Sequence, residues 1–83
     1  MTELINWKWL KHIKSQMNER GITSDMVEDT LANPDKIVHG KDNRLIYQKV
    51  MMGKLLRVVT ERNRLITVYL TSKINKYSEG DSK

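Results

Sequence analysis

The sequence predicts an α+β domain in which two N-terminal helices pack on one face of a three- to four-stranded antiparallel sheet. Apolar residues recur at helical spacing early in the chain, and three runs of β-forming residues separated by turn residues follow between residues 44 and 71. A chain of 83 residues forms one domain. We expect this domain to span residues 1–78 and residues 79–83 to form a disordered tail.

The first helix is indicated by Leu10, Ile13 and Met17, which fall on one helix face with Trp9 beside them. Gly21 ends this helix, because glycine adopts the left-handed conformation that commonly follows a helix.

The second helix begins at a cap formed by Thr23 or Ser24, and the pair Asn33-Pro34 closes it. Three acidic residues lie in its first turns, where the helix dipole favours negative charge. This position explains them better than metal ligation does. With two histidines and no cysteine the metal case is weak, and no metal site is expected.

Four strands are predicted after the helices: a short edge strand at residues 36–39, and longer strands at about 44–51, 54–61 and 64–71. The turns between the long strands contain Gly53 and Asn63, which tolerate positive φ. If each turn has three residues, Val50 lies opposite Lys54 and Thr60 lies opposite Arg64. Even-numbered residues then share one face of the sheet.

The predicted register separates the long strands into an apolar face and a mixed face. The even face carries Ile46, Leu56, Val58, Ile66, Val68 and Leu70, and we expect the helices to pack there. The odd face carries a first row of Tyr47, Arg57 and Thr67, a second row of Lys49, Leu55 and Tyr69, and an apolar patch of Leu45, Val59 and Leu65. A face that was merely solvated would be more uniformly polar, so the odd face is the candidate binding surface.

Positive charge is concentrated in the half of the chain that forms the sheet. Residues 1–43 hold six Lys/Arg and seven Asp/Glu, and residues 44–83 hold nine and three, which gives net charges of −1 and +6. This asymmetry favours a polyanion partner, and the alternative is a basic domain with no such partner. The absence of cysteine suits a reducing cytoplasm. No apolar run is long enough for a membrane span.

Five residues of the odd face could bind single-stranded nucleic acid: Tyr47, Lys49, Arg57, Thr67 and Tyr69. Bases stack on aromatic rings, and Arg and Lys contact phosphates. The alternative is an ordinary half-exposed sheet face, because Tyr and Thr are common in strands for reasons of packing.

Two residues of the first helix add candidate chemistry. His12 lies beside the apolar stripe, and an unperturbed pKa of about 6.5 suits general acid/base catalysis. The alternative is a surface histidine with no such role. Arg20 lies about 12 Å further along the helix axis. The two residues therefore cannot bind one phosphate, but they could contact successive parts of a longer strand.

The C-terminal segment supplies hydroxyl, ammonium and phenol groups at the end of the last strand: Thr71, Ser72, Lys73, Lys76 and Tyr77. Hydroxyls and ammonium groups can stabilise a phosphorane-like charge, and a tyrosine can donate a proton or stack on a base. The alternative is a plain strand end in which Tyr77 packs on the core and the lysines are solvated.

The motifs that follow one another along residues 10–78 are His12, Glu19-Arg20-Gly21-Ile22, Val27, Asn33-Pro34-Asp35, Tyr47-Gln48-Lys49, Leu56-Arg57-Val58-Val59, Thr67-Val68-Tyr69, Thr71-Ser72-Lys73 and Lys76-Tyr77. This order resembles DUF4258, a small bacterial family of domains of unknown function. The resemblance implies two helices followed by a curled antiparallel sheet. Such a domain is similar to the wider group that contains the barnase, colicin and RelE ribonucleases and the toxin BrnT, in which RNA lies on the sheet and is cleaved without metal.

The resemblance implies a metal-independent endoribonuclease of toxin type, which cleaves RNA by 2′-OH attack, needs no cofactor and has an antitoxin protein as partner. The family pattern points to His12, Arg20, Arg57, Thr71, Lys73 and Tyr77. His12 would act as base or acid, while Arg57 and Lys73 would neutralise the developing charge. Arg20 would bind an adjacent phosphate, and Tyr77 would orient the substrate or stack.

Two other classes of function stay open on the sequence. The same fold could serve as a nucleic-acid-binding or regulatory module without catalysis. It could also be a protein-interaction domain, for example a homodimer, that uses the predicted patch of Leu45, Val59 and Leu65.

Overall fold

A computed structural model describes residues 6–72 and shows an α+β chain with two helices and five strands. The elements run in the order β1 (Lys8–Trp9), α1 (Lys11–Arg20), α2 (Ser24–Ala32), β2 (Lys36–His39), β3 (Arg44–Met51), β4 (Lys54–Glu61) and β5 (Arg64–Thr71). The predicted α+β class is confirmed, whereas the predicted count of three to four strands is wrong because β1 adds a fifth. The predicted disordered tail at residues 79–83 lies outside the described residues.

One mixed sheet holds the strands in the order β1-β5-β4-β3-β2. Strands β2 to β5 pair antiparallel, as predicted, and β1 pairs parallel with β5. The Lys8 N–H donates to the Asn63 oxygen at 2.7 Å, which fixes the short strand against the β4–β5 turn. Trp9 was expected beside the helix stripe but is a strand residue opposite Leu65. The aromatic residues around Lys8 favour an extended backbone, and α1 begins after Leu10.

The predicted ends of the helices are confirmed. Gly21 follows α1 with a φ of 67°, a left-handed conformation that glycine adopts without steric cost. Thr23 caps α2, because its Oγ1 accepts a hydrogen bond from the Met26 N–H at 3.2 Å. Helix α2 ends at Ala32, directly before Asn33-Pro34.

The two long hairpins have two-residue turns, so the three-residue turns predicted from the sequence are wrong. Met51 lies opposite Lys54, where Val50 had been expected. Met52 and Gly53 have φ angles of 54° and 73°, and two left-handed residues in succession are what a type I′ turn requires. The shorter turn shifts β3 by one residue against β4, and a shift of one residue moves every side chain of a strand to the other face.

A bulge corrects the same shift on the other side of β4. Thr60 lies opposite Leu65 but Val59 lies opposite Thr67, so Ile66 is an extra residue in β5. Beyond the bulge the faces are those predicted, with Val58 opposite Val68. The two-residue turn and the bulge together therefore leave the β5 side chains beyond the bulge on the faces predicted for them, although the predicted turn is wrong.

The register defines two faces of the sheet. The core face carries Leu45, Tyr47, Lys49, Leu56, Val58, Thr60, Leu65, Val68 and Leu70, and the opposite face carries Ile46, Gln48, Val50, Leu55, Arg57, Val59, Thr67, Tyr69 and Thr71. The expectation that Tyr47 and Lys49 share a face with Arg57 is therefore wrong. The expected apolar patch is wrong too, because Val59 lies on the opposite face from Leu45 and Leu65.

The hydrophobic core joins helix residues to residues of the core face: Ile13, Met17, Ile22, Val27, Tyr47, Leu56, Val58, Leu65 and Val68. Tyr47 and Leu65 take the places predicted for Ile46 and Ile66. The Tyr47 ring meets Trp7 edge to face, with centroids 5.6 Å apart. Neither helix in the described part of the chain has the length and apolar character needed to cross a membrane.

Candidate functional site

A row of polar side chains crosses the opposite face, with one residue from each antiparallel strand. In the order of strands β2, β3, β4 and β5, this polar row consists of Lys36, Gln48, Arg57 and Tyr69. Neighbouring strands lie about 4.8 Å apart, so side chains in one row are within reach of each other. The row brings a cation, an amide, a guanidinium and a phenol together.

The middle of the polar row is buried. Gln48 is 1% exposed and Arg57 is 7% exposed. The Gln48 Oε1 atom has no hydrogen-bond partner within residues 6–72. A buried acceptor without a partner costs about 1–3 kcal/mol, which is a large fraction of the stability of a small domain. Buried polar groups of this kind call for an explanation beyond packing, and a functional site is one such explanation.

Arg57 and Tyr69 contact each other directly at the centre of the opposite face. The Arg57 Nη1 atom donates to the Tyr69 Oη atom at 2.8 Å, and the Arg57 Cζ atom lies 5.7 Å from the centroid of the Tyr69 ring. Thr71 lies on the same face in the next row, opposite Leu55. Three of the residues predicted for the site, on two adjacent strands, are thus brought together.

Tyr47 and Lys49 lie on the core face and are engaged there. Tyr47 belongs to the hydrophobic core. The Lys49 Nζ atom donates to the Asn33 oxygen at 2.8 Å and lies 3.5 Å from Asp29 Oδ2. Lys49 therefore ties β3 to the end of α2, and this contact accounts for its position without a nucleic acid.

His12 and Arg20 contact the outer edge of β5. The His12 Nε2 atom donates to the Ile66 oxygen at 2.8 Å, and the Arg20 Nη1 atom donates to the Val68 oxygen at 2.7 Å. Strand β1 pairs with β5 at residues 64 and 65, and the contacts of α1 begin directly after them. His12 and Arg20 thus contact successive outward-facing carbonyl groups along β5.

Gln16 lies between these two residues on the same face of α1 and completes the set. Its Oε1 atom accepts from the Val68 N–H at 3.2 Å and from the Thr67 hydroxyl at 2.8 Å. Residues 12, 16 and 20 are spaced at four-residue intervals, which places them in line along one helix face. These edge-bonding residues satisfy backbone groups of β5 that an added strand would otherwise use.

The contact of His12 determines its chemistry. A carbonyl oxygen accepts hydrogen bonds and does not donate them, so the Nε2 atom of His12 carries a hydrogen. In the neutral ring Nδ1 is then the basic nitrogen. His12 lies at the sheet edge, whereas Arg57 lies on the opposite face of the neighbouring strand. The structure therefore separates the predicted base from the predicted phosphate-binding arginine.

The polar row contains two residues that the sequence pattern does not predict as site residues, Lys36 and Gln48. One signal was present: Gln48 interrupts the apolar residues Ile46 and Val50 at alternate positions of β3. The predicted Lys73 and Tyr77 lie outside the described residues. Between residues 6 and 72, no three or more His, Asp or Glu side chains lie close enough together to hold a metal ion.

Residues 9–70, from β1 to nearly the end of β5, match the family described as Domain of unknown function (DUF4258). The chain belongs to DUF4258. The matched segment includes the polar row and the edge-bonding residues, so both lie within the DUF4258 domain of this chain. No curated protein and no solved structure matches the chain. The similarity to the RelE, BrnT and barnase ribonucleases therefore stays a prediction.

Proposed function

We propose that this DUF4258 domain binds single-stranded RNA on the opposite face of the sheet, with the polar row as its phosphate site. The observation that carries the proposal is the Arg57–Tyr69 pair, in which the Arg57 Nη1 atom donates to the Tyr69 phenol. Arg57 is 7% exposed and Tyr69 is half-buried, so a phosphate at this pair would lie against the phenol and the small exposed part of Arg57. A guanidinium held in place by its neighbours loses less side-chain entropy when it binds a phosphate than a freely rotating one does.

The surroundings of this pair supply the other groups that such a ligand needs. Lys36 adds an exposed cation at the end of the polar row, and the Thr71 hydroxyl can contact a phosphate oxygen. The half-buried Tyr69 ring offers a surface on which a base can stack. The net charge of +6 in residues 44–83 adds long-range attraction for a polyanion.

Titration of a labelled single-stranded RNA at several salt concentrations tests the proposal. Arg57→Gln and Lys36→Gln should each weaken binding and lower the slope of log affinity against log salt by about 0.7, the value for one phosphate contact with a single strand. Lys54→Gln is the matched control, because it removes an exposed cation from the same strand as Arg57 at the β3–β4 turn. Equal slopes for all three variants would contradict the proposal.

Metal-independent endoribonuclease activity is a second candidate function, and it draws on the same pair. Attack of a 2′-OH on its own phosphate breaks the bond to the 5′ oxygen, so the 2′-OH proton must be removed, the developing charge stabilised and a proton given to the leaving oxygen. Arg57 can stabilise the charge and the Tyr69 hydroxyl beside it can give the proton to the leaving oxygen, while the 2′-OH proton is lost to water. His12 is at the sheet edge with its Nε2 atom bonded to Ile66, which favours Tyr69 over His12 for proton transfer at this site.

A further inference from the structure

A second row of charged residues crosses the sheet at the end nearest the β4–β5 turn. In the order of strands β3, β4, β5 and β1, this end row consists of Arg44, Glu61, Arg64 and Lys8. It contains three cations and one carboxylate. By register Arg44 and Glu61 lie on the same face as Gln48 and Arg57, so the end row continues the face that carries the polar row.

The charges of the end row are not balanced among its own members. The carboxylate of Glu61 forms an ion pair with Arg44, whose Nε atom lies 3.9 Å from Glu61 Oε1. Arg64 and Lys8 lie directly opposite each other on adjacent strands, and both are exposed. Like charges in directly opposite positions repel each other and destabilise a sheet. A bound anion would remove this repulsion.

The turn beside the end row presents a further arginine in an uncommon conformation. Arg62 is exposed and has a φ of 59°, in the left-handed region. Gly, Asn and Asp adopt this region more readily than arginine does. Asn63 follows directly, yet the positive φ falls on Arg62. A two-residue hairpin turn with a positive φ at its first residue accounts for this conformation, and it places Arg62 directly beside the end row.

Hydrogen bonds hold these cations in one surface although they come from distant parts of the chain. The Asn63 oxygen accepts from the Lys8 N–H at 2.7 Å, and the Asn63 Nδ2 atom donates to the Asn6 oxygen at 3.3 Å. The segment that carries Lys8 is therefore fixed to the turn that carries Arg62 and Arg64.

We infer that Arg62 and the end row form a second phosphate-binding site, which contacts the backbone of the nucleic acid beyond the polar row. The class of ligand rests on the proposed function. Arg57 and Glu61 are separated along β4 by roughly 13 Å, at about 3.3 Å per residue, so one extended strand can reach both rows. A guanidinium binds phosphate oxygens through two parallel N–H groups, and arginine predominates in this site.

Nuclear magnetic resonance of the ¹⁵N-labelled full chain, titrated with single-stranded RNA, tests the inference at each row separately. We expect the amide signals of Lys8, Arg62 and Arg64 to shift together with those of Gln48 and Arg57. The double variant Lys8→Gln/Arg64→Gln should lower the salt slope of RNA binding by about 1.4, which is two single-strand contacts. The control double variant Lys14→Gln/Lys54→Gln removes two exposed cations from elsewhere and should leave the slope unchanged.

The outcomes separate this inference from the proposed function. Shifts confined to the end row would support the second site and refute the polar row as the binding site. Shifts confined to the polar row would refute the second site and leave the proposed function intact. An absence of shifts at both rows would refute both. Poly-glutamate that shifts the end-row signals as strongly as RNA, at equal charge concentration, would assign the end row to an acidic protein and refute the nucleic-acid site.

Discussion

Gln16→Ala tests whether α1 closes the edge of β5 by hydrogen bonding. The substitution removes the oxygen that accepts from the Val68 N–H at 3.2 Å and from the Thr67 hydroxyl at 2.8 Å. A net hydrogen bond contributes about 0.5–1.5 kcal/mol, and a buried donor left without a partner costs about 1–3 kcal/mol. Because these two bonds are part-buried, we expect the free energy of unfolding to fall by about 1–2 kcal/mol.

Urea unfolding followed by circular dichroism measures this loss, and a thermal scan gives an independent value. For a domain of this size, each kcal/mol lowers Tm by roughly 4–8 °C. Ser15→Ala is the matched control, because Ser15 is an exposed neighbour on the same helix. A second readout is self-association at high protein concentration, since an edge strand with unpaired N–H and C=O groups can pair with another copy.

A free energy of unfolding for Gln16→Ala within about 0.5 kcal/mol of the wild type, the range of a neutral surface substitution, would refute a stabilising role of Gln16 at the edge of β5. The Val68 N–H would then be satisfied without the Gln16 side chain. The hydrogen bonds of His12 and Arg20 to β5 are separate contacts, which His12→Ala and Arg20→Ala test in the same way.

Two further predictions concern the core and the catalytic hypothesis. Val58→Ala should lower the free energy of unfolding by about 2–4 kcal/mol, because it removes two buried methyl groups and leaves a cavity. Val50 is 45% exposed, so Val50→Ala should cost less than half as much in the same urea titration. Cleavage by the wild type should resist chelator and leave 2′,3′-cyclic ends, and Tyr69→Phe should reduce it by roughly 10²–10⁴-fold if the phenol transfers the proton. Because the variant also removes the acceptor of the Arg57 Nη1 hydrogen bond, its urea unfolding has to be measured beside its cleavage. Equal cleavage by the wild type and Tyr69→Phe would remove Tyr69 from the mechanism.

The elements of the fold are largely predictable from the sequence, whereas their register is not. Periodicity and caps place both helices, and alternation of β-formers places β3, β4 and β5. The β3 register fails because Met52 is left-handed, a conformation that its residue type does not suggest. Strand β1 is missed because two residues give no periodicity, and it forms through pairing with a strand far along the chain.

The candidate site is predictable in part, for the same reason. The sequence correctly places three of these residues on one face: Arg57, Tyr69 and Thr71. The two-residue turn alone would move the β5 side chains to the other face, and the bulge opposite Val59 and Thr60 moves them back. Tyr47 and Lys49 move to the core face with the rest of β3.

The separation of the edge-bonding residues from the polar row decides how variants of this domain have to be interpreted. His12, Gln16 and Arg20 are bonded to the backbone of β5, so replacing any of them is expected to loosen the edge strand. A loss of growth inhibition or of RNA cleavage in a His12 variant would therefore follow from instability even if His12 has no part in the chemistry. Arg57→Gln has the same ambiguity, since Arg57 is buried. Tyr69→Phe keeps the half-buried ring but removes the oxygen that accepts from Arg57, so its cleavage has to be measured under conditions where urea unfolding shows that it is folded. A loss of cleavage under those conditions would locate the chemistry on the opposite face.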